Sequence, residues 1–202
     1  MKLHYSQTSP FARKVLILIH EAGLADRVEI EESKAAPIGP VPPLAAHNPL
    51  GKIPTLELAD GPSLYDSRVI TRYLDDLAGT GFYPAGQRLW SVLLLEALAD
   101  GICDAAVSMA YEKNLRPAEF SYPDWIEGQW TKVDRALSVI EDRWLSHLAG
   151  PLDVGQMALG AALGYLDLRH GARNWREGRP GLSAWHAKIA ERPSMQKSAP
   201  PV

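Results

Sequence analysis

The chain has 202 residues, 46% hydrophobic and 22% charged, with a formal net charge of −3. That length can bury a substantial core in one large or two small domains, and the slight negative balance gives no bulk electrostatic case for a nucleic-acid or anionic-membrane partner. A single cysteine, Cys103, excludes an intrachain disulfide and any cysteine-rich metal site, and the setting it implies is a reducing cytoplasm.

Lys2 to Tyr5 is strand-like and leads straight into polar residues, unlike a signal peptide. A helix follows from about Pro10 to Ala22. Phe11, Val15, Leu18, Ile19 and Ala22 recur at helical spacing, Ser9 can cap the start ahead of Pro10, and Gly23 is a natural stop. Its apolar run Val15 to Ile19 is far too short to span a bilayer. Arg27 to Glu32 alternates as a second strand, so a parallel βαβ unit is expected. Pro37, Pro40, Pro42, Pro43 and Pro49 bar regular helix or central strand and predict a long loop. Thr55 to Leu58 predicts a strand, Asp60-Gly61 a turn, and Ser63 to Tyr65 a strand returning as a hairpin. Asp66-Ser67 then opens a helix with Val69, Ile70, Tyr73, Leu74 and Leu77 on one face.

Gly79 to Gly86 reads as a linker. Beyond it only helical patterns remain. Leu89 to about Leu115 predicts one long helix, with Leu93, Leu94, Ala97, Leu98 and Ile102 among its apolar positions and Gly101 as a point of close packing or weakness. Pro123 to Leu148 predicts another, broken by Gly150-Pro151. Asp153 and Gln156 form a capping box, with Leu152 and Met157 as its hydrophobic staple. The helix they open, to about His170, is rich in small residues, which implies burial against neighbours. Leu182 to Ala190 predicts a last helix, and the tail Ser198 to Val202 is expected to be loose.

A β-α-β then β-β-α half followed by an all-helical half resembles the cytosolic glutathione transferase superfamily. Four stretches carry the likeness: Thr8-Ser9-Pro10-Phe11 with Arg13 and Val15; Asn48 to Leu56; Leu64 to Ile70; and the Asp153 cap running into Ala158-Leu159-Gly160. Leu182-Ser183-Ala184-Trp185 with Glu191-Arg192-Pro193-Ser194 adds a weaker fifth. The resemblance implies a thioredoxin-like α/β domain over residues 1–78, a linker over 79–87 and an all-α domain over 88–202. It also implies a cytoplasmic enzyme of detoxification type, a homodimer, that promotes attack of the glutathione thiolate on a small hydrophobic electrophile. The alternatives are a glutathione-binding or interaction protein without catalysis, and a glutathione-dependent reductase, which serine in place of cysteine at position 9 disfavours.

Carried over residue by residue, Ser9 matches the catalytic serine of serine-type members, and Tyr5 is the competing candidate by its similarity to tyrosine-type members. A hydroxyl at a helix start can lower a thiol from about 9 toward 7; each pKa unit is worth about 1.4 kcal/mol, within reach of one charged hydrogen bond at roughly 1.5–3 kcal/mol. Pro54 matches the family's cis-proline, which would turn the Ile53 backbone toward glutathione as a paired strand. Lys52 is expected to reach the glycyl carboxylate, Ser67 the γ-glutamyl carboxylate at a helix start, and Asp66 the ammonium. Phe11, Met109 and Tyr111 are candidates for an apolar second-substrate pocket, to which Asp104 and Ser108 would add polarity. No metal is expected: His4, His20, His47, His147, His170 and His186 show no ligand spacing. No phosphate loop, dinucleotide fingerprint or Gly-x-Ser-x-Gly elbow is present.

Overall fold

A computed structural model describes residues 1–35, 37–40 and 42–200. The chain begins with β1 (Lys2–Tyr5), α1 (Pro10–Glu21) and β2 (Glu29–Glu32), followed by β3 (Thr55–Glu57) and α2 (Ser67–Ala78). The strand order is β2-β1-β3, with β1 parallel to β2 and antiparallel to β3. The parallel unit expected from the sequence is therefore present, though a 3-10 turn over Ala25–Arg27 takes the start of the expected second strand. Alternation along β1 sends Leu3 into the core with Leu56, its cross-strand partner, while Lys2 and His4 face the other side of the sheet. Ser9 caps α1, its Oγ accepting from the Ala12 N–H at 3.3 Å, and Gly23 at φ 67° lets the chain leave the helix.

Six helices complete the described chain: α3 (Arg88–Leu115), α4 (Pro123–Arg143), α5 (Leu145–Leu148), α6 (Val154–His170), α7 (Pro180–Ala190) and α8 (Pro193–Lys197). A small mixed-sheet domain thus joins a helical one. The halves meet where α6 packs on both α1 and α3. Every residue from Val154 to Leu163 is buried, as the small-residue composition implied. Two glycines make that approach possible: a Cβ on Gly155 would lie 2.9 Å from Leu95 Cβ and the Val92 carbonyl oxygen of α3, and one on Gly164 would collide with the Arg13 guanidinium of α1. None of the described helices is long and apolar enough to cross a membrane.

Several expectations are corrected. Ser63 to Tyr65 forms no strand; only Leu64 bridges to Leu56. The helix expected from Pro123 to Leu148 breaks at Trp144, whose φ of −112° departs from helical values, with neither glycine nor proline there to signal it. Val69 and Leu94 are exposed, because the packed faces of α2 and α3 run through Ile70 and Leu74 and through Val92, Leu95, Ala99 and Ile102. Gly101 meets nothing within 4 Å of where a Cβ would sit. The capping box is half formed: Asp153 accepts from the Gln156 N–H at 3.1 Å, but Gln156 Nε2 donates to the carbonyls of His147 and Pro151 instead of reaching back. The connection between α2 and α3 is held by Asp75, which accepts from Thr80 Oγ1 and from the N–H groups of Phe82 and Tyr83 at 2.6–3.0 Å. In the tail, Ser198 is buried and hydrogen-bonded to the Met195 carbonyl, whereas Pro201 and Val202 lie outside the described residues.

Candidate functional site

A cleft lies between the sheet domain and the helical domain. It consists of a cavity of about 790 Å³ beside the start of α1 and a smaller one of about 220 Å³ beside the start of α2. The two share Phe11, Lys52, Ile53 and Asp104. Ser9 lines the larger cavity, with Ser6 and Thr8 beside it; Pro54, Asp66 and Ser67 line the smaller. Three segments far apart in the chain thus converge on one concave surface.

Each is positioned by local chemistry. The Ser9 hydroxyl accepts from the first turn of α1, which leaves its own hydrogen free to donate into the cavity. The Ile53–Pro54 bond is cis. The turn before it is braced by Asn48, which is buried. Asn48 Nδ2 donates to the Lys52 carbonyl at 2.9 Å and to Thr55 Oγ1 at 3.1 Å, while its Oδ1 accepts from Leu50 N–H at 3.0 Å. At α2, Asp66 is the N-cap and Ser67 the first helical residue, buried yet facing the smaller cavity.

Tyr5 stands elsewhere. It points to the same side of β1 as Leu3 and borders a separate cavity with Arg13, Leu16 and His20. Met109 is also set apart. The residues of α3 that line the larger cavity are Asp104, Val107, Ser108, Ala110, Tyr111 and Asn114; Met109, buried, is not among them. Phe11 and Tyr111 both border the cleft, and α6 adds Tyr165 and Arg169.

Comparison with known proteins bears on this arrangement. The model of the glutathione S-transferase N-terminal domain matches residues 8–77 and that of the C-terminal domain matches residues 123–188. An uncharacterized GST-like protein of Escherichia coli (strain K12), YibF, is 32% identical over 100% of this chain and 99% of its own. The chain belongs to the glutathione S-transferase family. Among solved structures, a glutathione transferase family member from Pseudomonas fluorescens Pf-5 with bound glutathione superposes with a TM-score of 0.97 at 44% identity, covering 100% of this chain and 99% of that one. A Pseudomonas fluorescens Pf-5 family member with bound S-(propanoic acid)-glutathione gives a TM-score of 0.93 at 43% identity, covering 100% of both chains.

In this transferase-family protein a buried charge cluster reaches the cleft through Asp100. Lys14, only 1% exposed, donates from α1 to Glu96 at 3.0 Å and to both oxygens of Asp100 at 2.9 Å, both acids lying on α3. Glu96 also accepts from Tyr83, whose hydroxyl lies 2.8 Å from Thr71 Oγ1 of α2. Burial pushes the Glu96 carboxyl above its ordinary range against the pull of Lys14. Asp100 borders the smaller cavity beside Asp66. Arg68 grips the Asp66 carboxylate at 2.7 Å, which holds its pKa below the usual value, and lies 3.9 Å from Asp100. Asp104 is pushed upward, first by burial and then by Asp100. Sequence reasoning passed over Lys14 and Glu96 because each sits on a helix face that reads as ordinary amphipathic pattern. The only available signal was a lysine among apolar neighbours.

Proposed function

We propose that this chain is a glutathione transferase. It holds glutathione against residues 1–78 and takes its electrophile from the side of residues 88–202, across the connection 79–87. The observation that carries this reading is the convergence of Ser9, the cis Ile53–Pro54 turn and the Asp66-Ser67 helix start on one cleft. Glutathione supplies a thiol, an ammonium and two carboxylates, and the cleft supplies a matching group for each. Ser67 and the N-terminus of α2 favour the γ-glutamyl carboxylate, Asp66 its ammonium, Lys52 the glycyl carboxylate, and Ile53 a backbone edge for the cysteinyl residue. Ser9 donates to the sulfur, and the positive end of α1 adds to the stabilisation of a thiolate.

In the reaction the thiol proton leaves to solvent and the sulfur electron pair forms an S–C bond. Either a halide departs with the electrons of its bond, or an activated alkene takes up the displaced pair and is protonated. Binding places the nucleophile and deprotonates it before the electrophile arrives. Phe11, Tyr111 and Tyr165 offer apolar surface, and Arg169 at the rim suits an acceptor that carries a carboxylate. The S-(propanoic acid)-glutathione held by the Pseudomonas fluorescens relative, a thioether with such a group, is consistent with that choice. Reduction through a protein mixed disulfide is disfavoured: Cys103 is buried in the helical core, and burial pushes its thiol up. The proposal includes a homodimer, for which exposed Val69, Trp90 and Leu94 supply apolar surface.

Calorimetric titration with glutathione, followed by mass-spectrometric detection of conjugates with an aryl halide and an acrylate-type acceptor, tests the reading. Binding together with either conjugate formed above the uncatalysed rate supports it; absence of binding at millimolar glutathione refutes it.

A further inference from the structure

A second cluster lies outside the cleft, on the face of the sheet turned away from α1. His4 of β1, Glu57 of β3 and His47 from the segment after the prolines bring one ligand atom each to within 4.8 Å of one another. His4 is 5% exposed. Its Nε2 lies 3.3 Å from Glu57 Oε2, and His47 Nδ1 lies 3.6 Å from the same oxygen. The two rings stack with centroids 5.2 Å apart. A cavity of about 520 Å³ bordered by both histidines and by Ser33 opens onto the cluster.

We propose that His4, His47 and Glu57 form a binding site for a divalent transition-metal cation of the zinc class, separate from the glutathione cleft. The geometry offers three donor atoms to one cation. His4 Nδ1 lies 3.0 Å from Ser33 Oγ, with Glu31 Oε1 at 3.9 Å. In the tautomer whose Nδ1–H donates to Ser33, Nε2 keeps a lone pair on the Glu57 side that can bind a cation; in the other, Ser33 donates to Nδ1 and Nε2–H donates to the Glu57 oxygen. His47 directs a second ring nitrogen at that oxygen. Each neutral ring can present an N–H to that oxygen, and a cation that displaces these protons is held by both nitrogens and the carboxylate together. Ligand bonds of about 2.0–2.2 Å in tetrahedral array place neighbouring ligand atoms about 3.4 Å apart; the separations to Glu57 are 3.3 and 3.6 Å, and the two histidine nitrogens, within 4.8 Å of each other, would draw together on binding. A fourth position on the cavity side is open to water.

The donor set selects the metal class. Two imidazoles with one carboxylate suit zinc, cobalt or nickel, whereas magnesium and calcium prefer all-oxygen sites. Ser33 and Glu31 orient the His4 ring from behind, as outer partners of metal-bound histidines do. Lys2, the nearby cation, pairs with Glu31 at 3.0 Å and Glu29 at 3.7 Å and leaves Glu57 to the histidines. A bound ion would tie the His47 segment to β1 and β3. Asn48, next in the chain, braces Lys52 and Thr55, so the ion reinforces the turn that carries the cis proline.

The test uses the full chain without a histidine tag, stripped of metal by chelator and passed through desalting. Cobalt(II) is titrated while visible d–d absorption is followed, and zinc(II) binding is measured by calorimetry, alongside His47→Ala and Glu57→Gln. Circular dichroism and unfolding of the metal-free variants report that each is folded. The expected result is one ion per chain, a cobalt spectrum of low coordination number, and affinity weakened more than about tenfold in each variant. Failure of either metal to bind at millimolar concentration, or affinity unchanged in both folded variants, overturns the proposal. The readout needs no glutathione, so its outcome is independent of the transferase reading.

Discussion

Replacing Lys14 by Met removes a charge and keeps the aliphatic stem that packs between α1 and α3. The two acids left behind, Glu96 at 2% and Asp100 at 8% exposure, lose their shared cation in a site that water barely reaches. Breaking a buried ion pair by deleting one partner costs about 3–5 kcal/mol, and for a chain of this size each kcal/mol moves Tm by about 2–4 °C. The expected fall is therefore roughly 6–20 °C. The pH dependence distinguishes the mechanism. Glu96 has a folded-state pKa raised above the ordinary 4.5, chiefly by burial. Its protonated form is favoured by folding, so its contribution is fully present below the ordinary value and is lost as pH rises through the raised one. Without Lys14 the two opposing influences of that residue disappear and Glu96 rises further. The deficit of Lys14→Met relative to the natural chain should be full at neutral pH and shrink on acidification toward 4.5, as Glu96 takes up a proton. Urea unfolding at fixed protein concentration, at a series of pH values, measures both quantities. A loss below about 1 kcal/mol, the range of exposed pairs, or a deficit that does not change with pH, refutes the reasoning. Glu96→Gln added to Lys14→Met should recover part of the loss.

Ser9→Ala should raise the pKa of the bound glutathione thiol by about one to two units, since a hydrogen bond to a charged acceptor is worth roughly 1.5–3 kcal/mol; Tyr5→Phe should leave it unchanged. Thiolate absorbance of the complex against pH reads both, and the reverse pattern moves the role to Tyr5. Asn48→Ala strips the brace from the Lys52 carbonyl and Leu50 N–H and should cost about 1–3 kcal/mol in unfolding together with weaker glutathione binding by calorimetry; unaltered affinity would show that the turn holds itself. Leu94→Glu places a charge on the exposed apolar surface of α3 and should shift the mass by light scattering from two chains to one, with no shift expected if that surface is not the interface.

The local signals in this chain were legible because they are short-range chemistry. Ser9-Pro10, Asp66-Ser67 and Asp153 are caps, and each stands in the structure at the N-terminus of its helix, because a side-chain oxygen reaches only the N–H groups of the next two or three residues. The order of the elements follows from their own periodicity and turn signals, and the family likeness adds the cis state of Pro54, which the structure shows. Where no local residue marks an event, the pattern is silent: the break at Trp144 has no proline or glycine, and Leu93, Leu94 and Leu95 are equally apolar although only Leu95 is fully buried.

Helix starts, the division into a mixed half and a helical half, and the three segments that line one cleft can be read from the sequence alone. Only tertiary structure decided that Ser9 and not Tyr5 borders the cleft with Ile53, that Met109 turns away from it, and that the connection over 79–87 is held by Asp75. It also decided that Lys14 is buried on Glu96 and Asp100, and that His4, His47 and Glu57 share one oxygen-centred cluster. Charges and ligands act through distance in space and through the loss of water around them. Neither is written in the spacing of residues along a chain.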